Sequence, residues 1–213
     1  GCSGTSVRSA DPESADSRPA EKLPRDYDKA LVLMQSGNYA AAIPVLDAFI
    51  ARRPEHAGPY INLGIVYQHT GQDEAAIKAL SKAIELNPLK ANYYGVRGTL
   101  YLEIGVYDQG ISGYYETQKL SPSADIQMGI YRALVQHKRY NEAKELLTKI
   151  KADYPNEDFN IVNAIQYAVN GEREKALNIL KSQGKDTPHF YKSLLLAQLN
   201  LKDDLMNEVQ QYF

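Results

Sequence analysis

Three evenly spaced prolines constrain the fold of this chain more than any other feature of its sequence. Pro54, Pro88 and Pro122 follow one another at steps of 34 residues. Because a helix does not continue through proline, each of them closes a segment of the same length. A fixed period in this range is the signature of a repeat architecture, in which short helical units stack on their neighbours.

The residues between the prolines repeat as well. The segment before Pro88 carries aromatic, small and aliphatic residues in a fixed order: Tyr60, Leu63, Gly64, Tyr67, Gly71, Ala76, Leu80 and Ala83. The next segment has related residues at the same offsets: Tyr94, Gly98, Tyr101, Gly105, Tyr107 and Tyr114. Weaker copies precede and follow these two, and a glycine stands between the two helical patterns of most copies, where a helix favours a left-handed residue at its end.

This pattern resembles that of the tetratricopeptide repeat family, strongly over residues 24–181 and loosely over residues 187–213. The resemblance implies an all-α, right-handed superhelical solenoid of antiparallel helix pairs, with about five repeats and a C-terminal capping helix pair. We therefore predict three regions. They are a disordered tether over 1–23, the repeat array over 24–181 and the capping helices over 182–213.

Small residues such as Gly64 and Ala76 let the two helices of a repeat approach each other closely. The third repeat holds five glycines between residues 95 and 113, which leaves two alternatives open. The glycines either make this the weakest helical stretch of the array, since each costs about 1 kcal/mol relative to alanine, or they permit an unusually close helix contact.

The first 25 residues differ in composition from the rest. They contain five serines, three prolines and no aromatic residue. Such a segment cannot bury enough apolar surface to offset its ordering entropy, so it is predicted to be a tether.

The only cysteine, Cys2, lies at the start of this tether, after Gly1 and before Ser3. This arrangement resembles the processed end of a bacterial lipoprotein signal, in which the cysteine takes the lipid. The resemblance implies a lipidated Cys2 and attachment to the outer membrane, facing the periplasm. An incidental exposed cysteine is the alternative.

The sequence offers little for catalysis. One cysteine excludes an internal disulfide framework, and the four histidines lack the spacing of a metal box. No phosphate-binding loop or nucleophile elbow is present, and no stretch reaches the roughly 18 apolar residues of a membrane span. A net charge of −2 argues against general nucleic-acid binding. We predict no enzyme, cofactor, metal or small-molecule substrate.

In the tetratricopeptide family the first helix of each repeat lines a binding groove. By register, the resemblance places these residues there: Tyr27, Leu31, Met34, Ile61, Asn62, Ile65, Gln68, Thr99, Leu102, Met128, Arg132, Ile161 and Ile165. Asn62 alone could match the family's clamp for a peptide's terminal carboxylate, so we do not expect a protein that binds the C-terminal tails of chaperones. The mainly aliphatic set favours an amphipathic helix or an apolar extended segment of another protein. The alternative for any one residue is packing against the next repeat.

Two functions remain open. The first is a lipid-anchored periplasmic adaptor that binds partner proteins of an envelope complex, either pilus and secretion or cell-wall machinery. The second is a cytoplasmic tetratricopeptide co-chaperone or assembly factor without a lipid anchor. A hydrophobic segment with a lipobox upstream of Gly1 would select the first.

Overall fold

The computed structural model describes residues 25–183, 185, 188–200 and 203–212. Helices fill most of this part of the chain, which contains no strand, so the predicted all-α class is confirmed. The helices are α1 (Arg25–Gln35), α2 (Tyr39–Arg52), α3 (Ala57–His69), α4 (Asp73–Leu86), α5 (Ala91–Glu103), α6 (Tyr107–Leu120), α7 (Ala124–Gln136), α8 (Tyr140–Asp153), α9 (Asn160–Val169), α10 (Arg173–Gln183), α11 (His189–Leu199) and α12 (Asp203–Gln210).

The helices form two compact units, with the division after Pro122. The N-terminal unit contains the pairs α1–α2, α3–α4 and α5–α6, and the C-terminal unit contains α7–α8 and α9–α10, followed by α11 and α12. The predicted tether and Cys2 lie outside the described residues. The predicted boundary between repeat array and cap, after residue 181, stays a prediction.

The turn inside each helix pair has one geometry, repeated five times. At the first turn the amide of Gly37 donates to the carbonyl of Met34, and the amide of Asn38 donates to the carbonyl of Leu33, 2.8 Å away. These two bonds define a Schellman motif, which requires a left-handed residue. Glycine supplies it at four turns with φ between 74° and 83°, and Lys138 supplies it at the α7–α8 turn with φ of 62°.

The core of the N-terminal unit lies between the helices of each pair. Leu46, Phe49, Val66 and Leu80 are almost completely buried there. A Cβ added to Gly64 would lie 2.5 Å from the side chain of Leu80, so a larger residue there would force Leu80 to move. The predicted role of small residues in helix packing is confirmed at this position.

Three of the glycines of the third repeat lie where α5 contacts α6. A Cβ on Gly98 would come within 2.9 Å of the carbonyl oxygen of Gly110, and one on Gly113 within 2.8 Å of the carbonyl oxygen of Tyr94. These positions are tighter than van der Waals contact with the backbone allows. Of the two alternatives for these glycines, the structure therefore supports close helix packing and not a weak helical stretch.

The C-terminal unit departs from this pattern at Tyr131. Tyr131 is the eighth residue of α7, as Gly64 is of α3 and Gly98 is of α5. Its ring is fully buried, and its hydroxyl donates to the side-chain carbonyl of Gln166 on α9, at 3.3 Å. In this unit α7 packs against α8 less extensively than α3 packs against α4.

Candidate protein-binding surface

Successive first helices of the N-terminal unit are tied together by side-chain hydrogen bonds. The side-chain amide of Asn62 on α3 donates to the hydroxyl of Tyr27 on α1, at 2.5 Å. The side-chain amide of Gln68 on α3 donates to the carboxylate of Glu103 on α5, at 2.6 Å. Each bond spans 35 residues, one repeat plus one position, so the first helices lie side by side and form a continuous face within this unit.

Many of the predicted groove residues are buried in this arrangement. Of the thirteen, six are at most 9% exposed: Tyr27, Met34, Ile61, Asn62, Met128 and Ile165. Tyr27 illustrates why, because its ring packs 5.1 Å from that of Phe49 while its hydroxyl accepts the bond from Asn62. In the structure these residues pack against their neighbours, which is the alternative that the sequence left open. Whether any of them also contacts a partner stays a prediction.

Thr99 and Leu102 pack toward α6. The Thr99 hydroxyl lies 2.9 Å from the hydroxyl of Tyr114 and donates to the carbonyl of Gly95. Leu102 lies over Gly110, where an added Cβ would come within 2.6 Å of its side chain. Both side chains therefore help to hold α5 against α6.

The remaining predicted residues of the N-terminal unit form what we call the inner strip: Leu31, Ile65 and Gln68, with Glu103. Leu31 and Ile65 are half-buried, stand 34 residues apart on the neighbouring helices α1 and α3, and pack on the core below them. Gln68 and Glu103 border this apolar patch with a polar edge. An apolar patch beside a polar edge suits an amphipathic segment of another protein. In the C-terminal unit, Arg132 and Ile161 are also half-buried.

A cleft of about 450 Å³ between α5 and α6 was not anticipated from the sequence. Tyr94, Arg97 and Tyr101 line it from α5, and Asp108 and Glu116 line it from α6. The Arg97 guanidinium donates to the hydroxyl of Ser81 on α4 and lies over the ring of Tyr101. The spacing of the three α5 residues, at i, i+3 and i+7 on one helix face, is a signal that could have revealed it.

The titration shifts of the described residues are those of buried or ion-paired groups. Burial raises the pKa of Tyr131 and of Tyr191, and burial followed by the charge of Arg139 lowers the pKa of His137. The described residues contain no group of three or more side chains able to hold a metal ion. None of their helices is long and apolar enough to cross a bilayer.

Residues 27–91 match the sequence profile of the family described as Tetratricopeptide repeat. This segment spans the first two helix pairs, and the same Schellman turns continue through the pair α9–α10. Residues 27–91 therefore carry tetratricopeptide repeats, and the chain has the fold of tetratricopeptide repeat structures.

Two relatives are similar to this chain in sequence. The chain is 26% identical to the UDP-N-acetylglucosamine--peptide N-acetylglucosaminyltransferase of Giardia intestinalis, over 66% of this chain and 10% of that protein. It is 26% identical to the DnaJ homolog subfamily C member 3 of Gallus gallus, over 84% of this chain and 40% of the relative. The chain thus spans between a tenth and two fifths of the length of these relatives.

The solved structure of YrrB, described as a TPR protein with an unusual peptide-binding site, superimposes with a TM-score of 0.62. The two share 18% identity over 83% of this chain and 91% of YrrB, which is evidence for the fold alone. Tetratricopeptide scaffolds are generally non-enzymatic and offer surfaces for other proteins in place of a deep catalytic pocket. The absence of catalysis in this chain stays a prediction.

Proposed function

We propose that this chain is an adaptor that binds partner proteins through the first-helix face of its repeats, and that a lipid on Cys2 holds it at the periplasmic side of an outer membrane. In this position it supports the assembly or regulation of an envelope complex of the pilus, secretion or cell-wall type. The inner strip is the observation that carries the binding role, because its apolar patch is only half-buried by the chain itself.

Two further points support the proposal. YrrB, a protein of the same fold, is described by its peptide-binding site. The Gly1-Cys2-Ser3 sequence and the serine- and proline-rich residues after it have the form of a lipidated end with a tether. Several acyl chains on one cysteine would hold the protein at a membrane firmly, whereas one chain anchors only weakly.

A second candidate is a co-chaperone or assembly factor without a lipid anchor, in which Cys2 has no role. The similarity to a DnaJ homolog favours this candidate. The sequence that precedes Gly1 distinguishes the two, since a hydrophobic segment ending in a lipobox belongs only to the first.

Site-specific photo-crosslinking in cells tests the binding role. A benzophenone amino acid placed at Gln68, on the edge of the inner strip, is expected to form a crosslinked adduct with a partner protein. The matched control is the same amino acid at Lys78, an exposed position on α4 of the same repeat. Equal adducts at both positions, or none at Gln68, would contradict binding through the inner strip.

A further inference from the structure

Helix α11 does not follow the stacking order of the first helices in the N-terminal unit. In the N-terminal unit, α3 packs against α2 and α5 packs against α4, so each first helix rests on the second helix of the preceding pair. In the C-terminal unit, α11 instead packs against α9 and reaches α7, the first helices of the two preceding pairs. It therefore lies across the face that first helices form.

Hydrogen bonds near the C-terminal end of α11 hold it in this placement. Near its C-terminal end, the hydroxyl of Tyr140 on α8 donates to the side-chain carbonyl of Gln198, at 3.1 Å. The guanidinium of Arg173 on α10 donates to the main-chain carbonyl of Leu199, at 3.2 Å. The helix packs on α9 and reaches α7, which carry the predicted groove residues Arg132, Ile161 and Ile165, so α11 lies where a ligand of that groove would bind.

The side chains of α11 have the pattern of a bound amphipathic helix. Leu194, Leu195 and Leu199 are at most 7% exposed, and Tyr191 and Gln198 are half-buried beside them. Together they stand at i, i+3, i+4, i+7 and i+8, one face of a helix. The opposite face, with Ser193 and Ala197, is exposed. Helices that dock into protein grooves use the same spacing for their anchors.

We propose that the face formed by α7 and α9 is a groove for a partner's amphipathic helix, and that α11 occupies it until that helix displaces it. The partner segment carries an aromatic or aliphatic residue at i and leucine-like residues at i+3, i+4 and i+8. Arg173 donates a hydrogen bond to a main-chain carbonyl at the end of that helix, as it does to Leu199. The inference rests on the proposed function only in assuming that the chain binds proteins.

The construction of α11 is compatible with displacement. It is 11 residues long, and isolated helices of that length are marginally stable in water. Its side-chain hydrogen bond to Tyr140 joins two neutral groups, which water can satisfy when the helix leaves. Covalent connection nevertheless gives α11 an effective concentration on the order of millimolar, so an external helix competes poorly with it in the intact chain.

A peptide-binding experiment on the full chain tests the proposal. The probe is a fluorescein-labelled synthetic peptide with the sequence of residues 188–200, followed by fluorescence anisotropy. Leu195→Ala weakens the docking of α11 without altering α7 or α9, and we expect the variant to bind the peptide on the order of tenfold more tightly than the parent chain does. Ser193→Ala, on the exposed face of α11, is the matched control and should bind as the parent does. A peptide carrying its own Leu195→Ala change should lose binding.

Three results would overturn the proposal. The first is a Leu195→Ala chain that keeps its helical circular dichroism and gains no affinity for the peptide. The second is a variant in which the amides of α9 lose their protection from exchange, since α11 would then be a permanent part of the core. The third is a parent chain that forms a dimer which Leu195→Ala dissociates, since α11 would then be exchanged between two copies. None of these results bears on crosslinking at Gln68 in the other unit.

Discussion

Gly113 determines how closely α5 and α6 can approach, because its missing side chain would occupy the space of the α5 backbone. An added Cβ would lie 2.8 Å from the carbonyl oxygen of Tyr94 and 3.0 Å from the Cα of Gly98. Backbone atoms cannot move aside as a flexible side chain can. The close approach of α5 and α6 therefore depends on single glycines, and substitution of one glycine at a time tests it.

We expect Gly113→Ala to lower the free energy of unfolding by about 1 to 3 kcal/mol, because it forces the two helices apart. Gly129→Ala in α7 is the matched control, since its Cβ would meet no atom within 4 Å. There the substitution should stabilise by about 0.4 to 1 kcal/mol, through the lower entropy of the unfolded chain. Urea denaturation of both variants measures the difference. Shifts of the same sign would show that helix propensity alone governs these positions.

At the scale of the helix, the end of α7 carries a group that senses pH. His137 caps α7 in a half-buried position, and burial, followed by the charge of Arg139, lowers its pKa below the ordinary value of 6.5. The folded state therefore binds a proton less readily than the unfolded state does. The stability that depends on neutral His137 is complete above the unfolded pKa and is lost as the pH falls from 6.5 toward the folded pKa.

Thermal melts of the parent chain and of His137→Gln, recorded from about pH 7.5 to about pH 5, test this dependence. Over this range the melting temperature of the parent should fall further than that of the variant. Glu142 and Glu172, whose pKa values are lowered by Arg139 and Lys175, lose their ion pairs at more acidic pH. Parallel curves for the two proteins would mean that His137 is equally accessible in the folded and unfolded states.

The helix pairs and their turns could be predicted from the sequence because their signals are local. At four of the five Schellman motifs a glycine stands two residues after the end of the helix, and the proline that closes the repeat comes 17 residues later, as with Gly71 and Pro88. The burial of Tyr27 could not be predicted in this way, because the atoms that cover it belong to Phe49 and Asn62 on other helices. The position of α11 depends in the same way on contacts between helices distant in sequence.

At the scale of the whole molecule, the proposed lipid anchor makes a prediction independent of the fold. Cys2→Ser should move the protein from the membrane fraction to the released periplasmic fraction, since several acyl chains provide most of the membrane affinity. Its far-UV circular dichroism should equal that of the parent, because Cys2 precedes the first described helix. Fractionation of cells that express each form measures this. Unchanged membrane association of the variant would exclude Cys2 as the anchor.

In the C-terminal unit, some contacts join residues much farther apart in sequence than others do, and this difference affects the order of folding. Tyr131 and Gln166, which join α7 to α9, are 35 residues apart, whereas Tyr140 and Gln198, which join α8 to α11, are 58 apart. Contacts between nearer residues close smaller loops and form earlier. During synthesis the earlier helices also leave the ribosome first. The face of α7 and α9 therefore exists for a time before α11 reaches it, and a partner present at that stage meets an open groove.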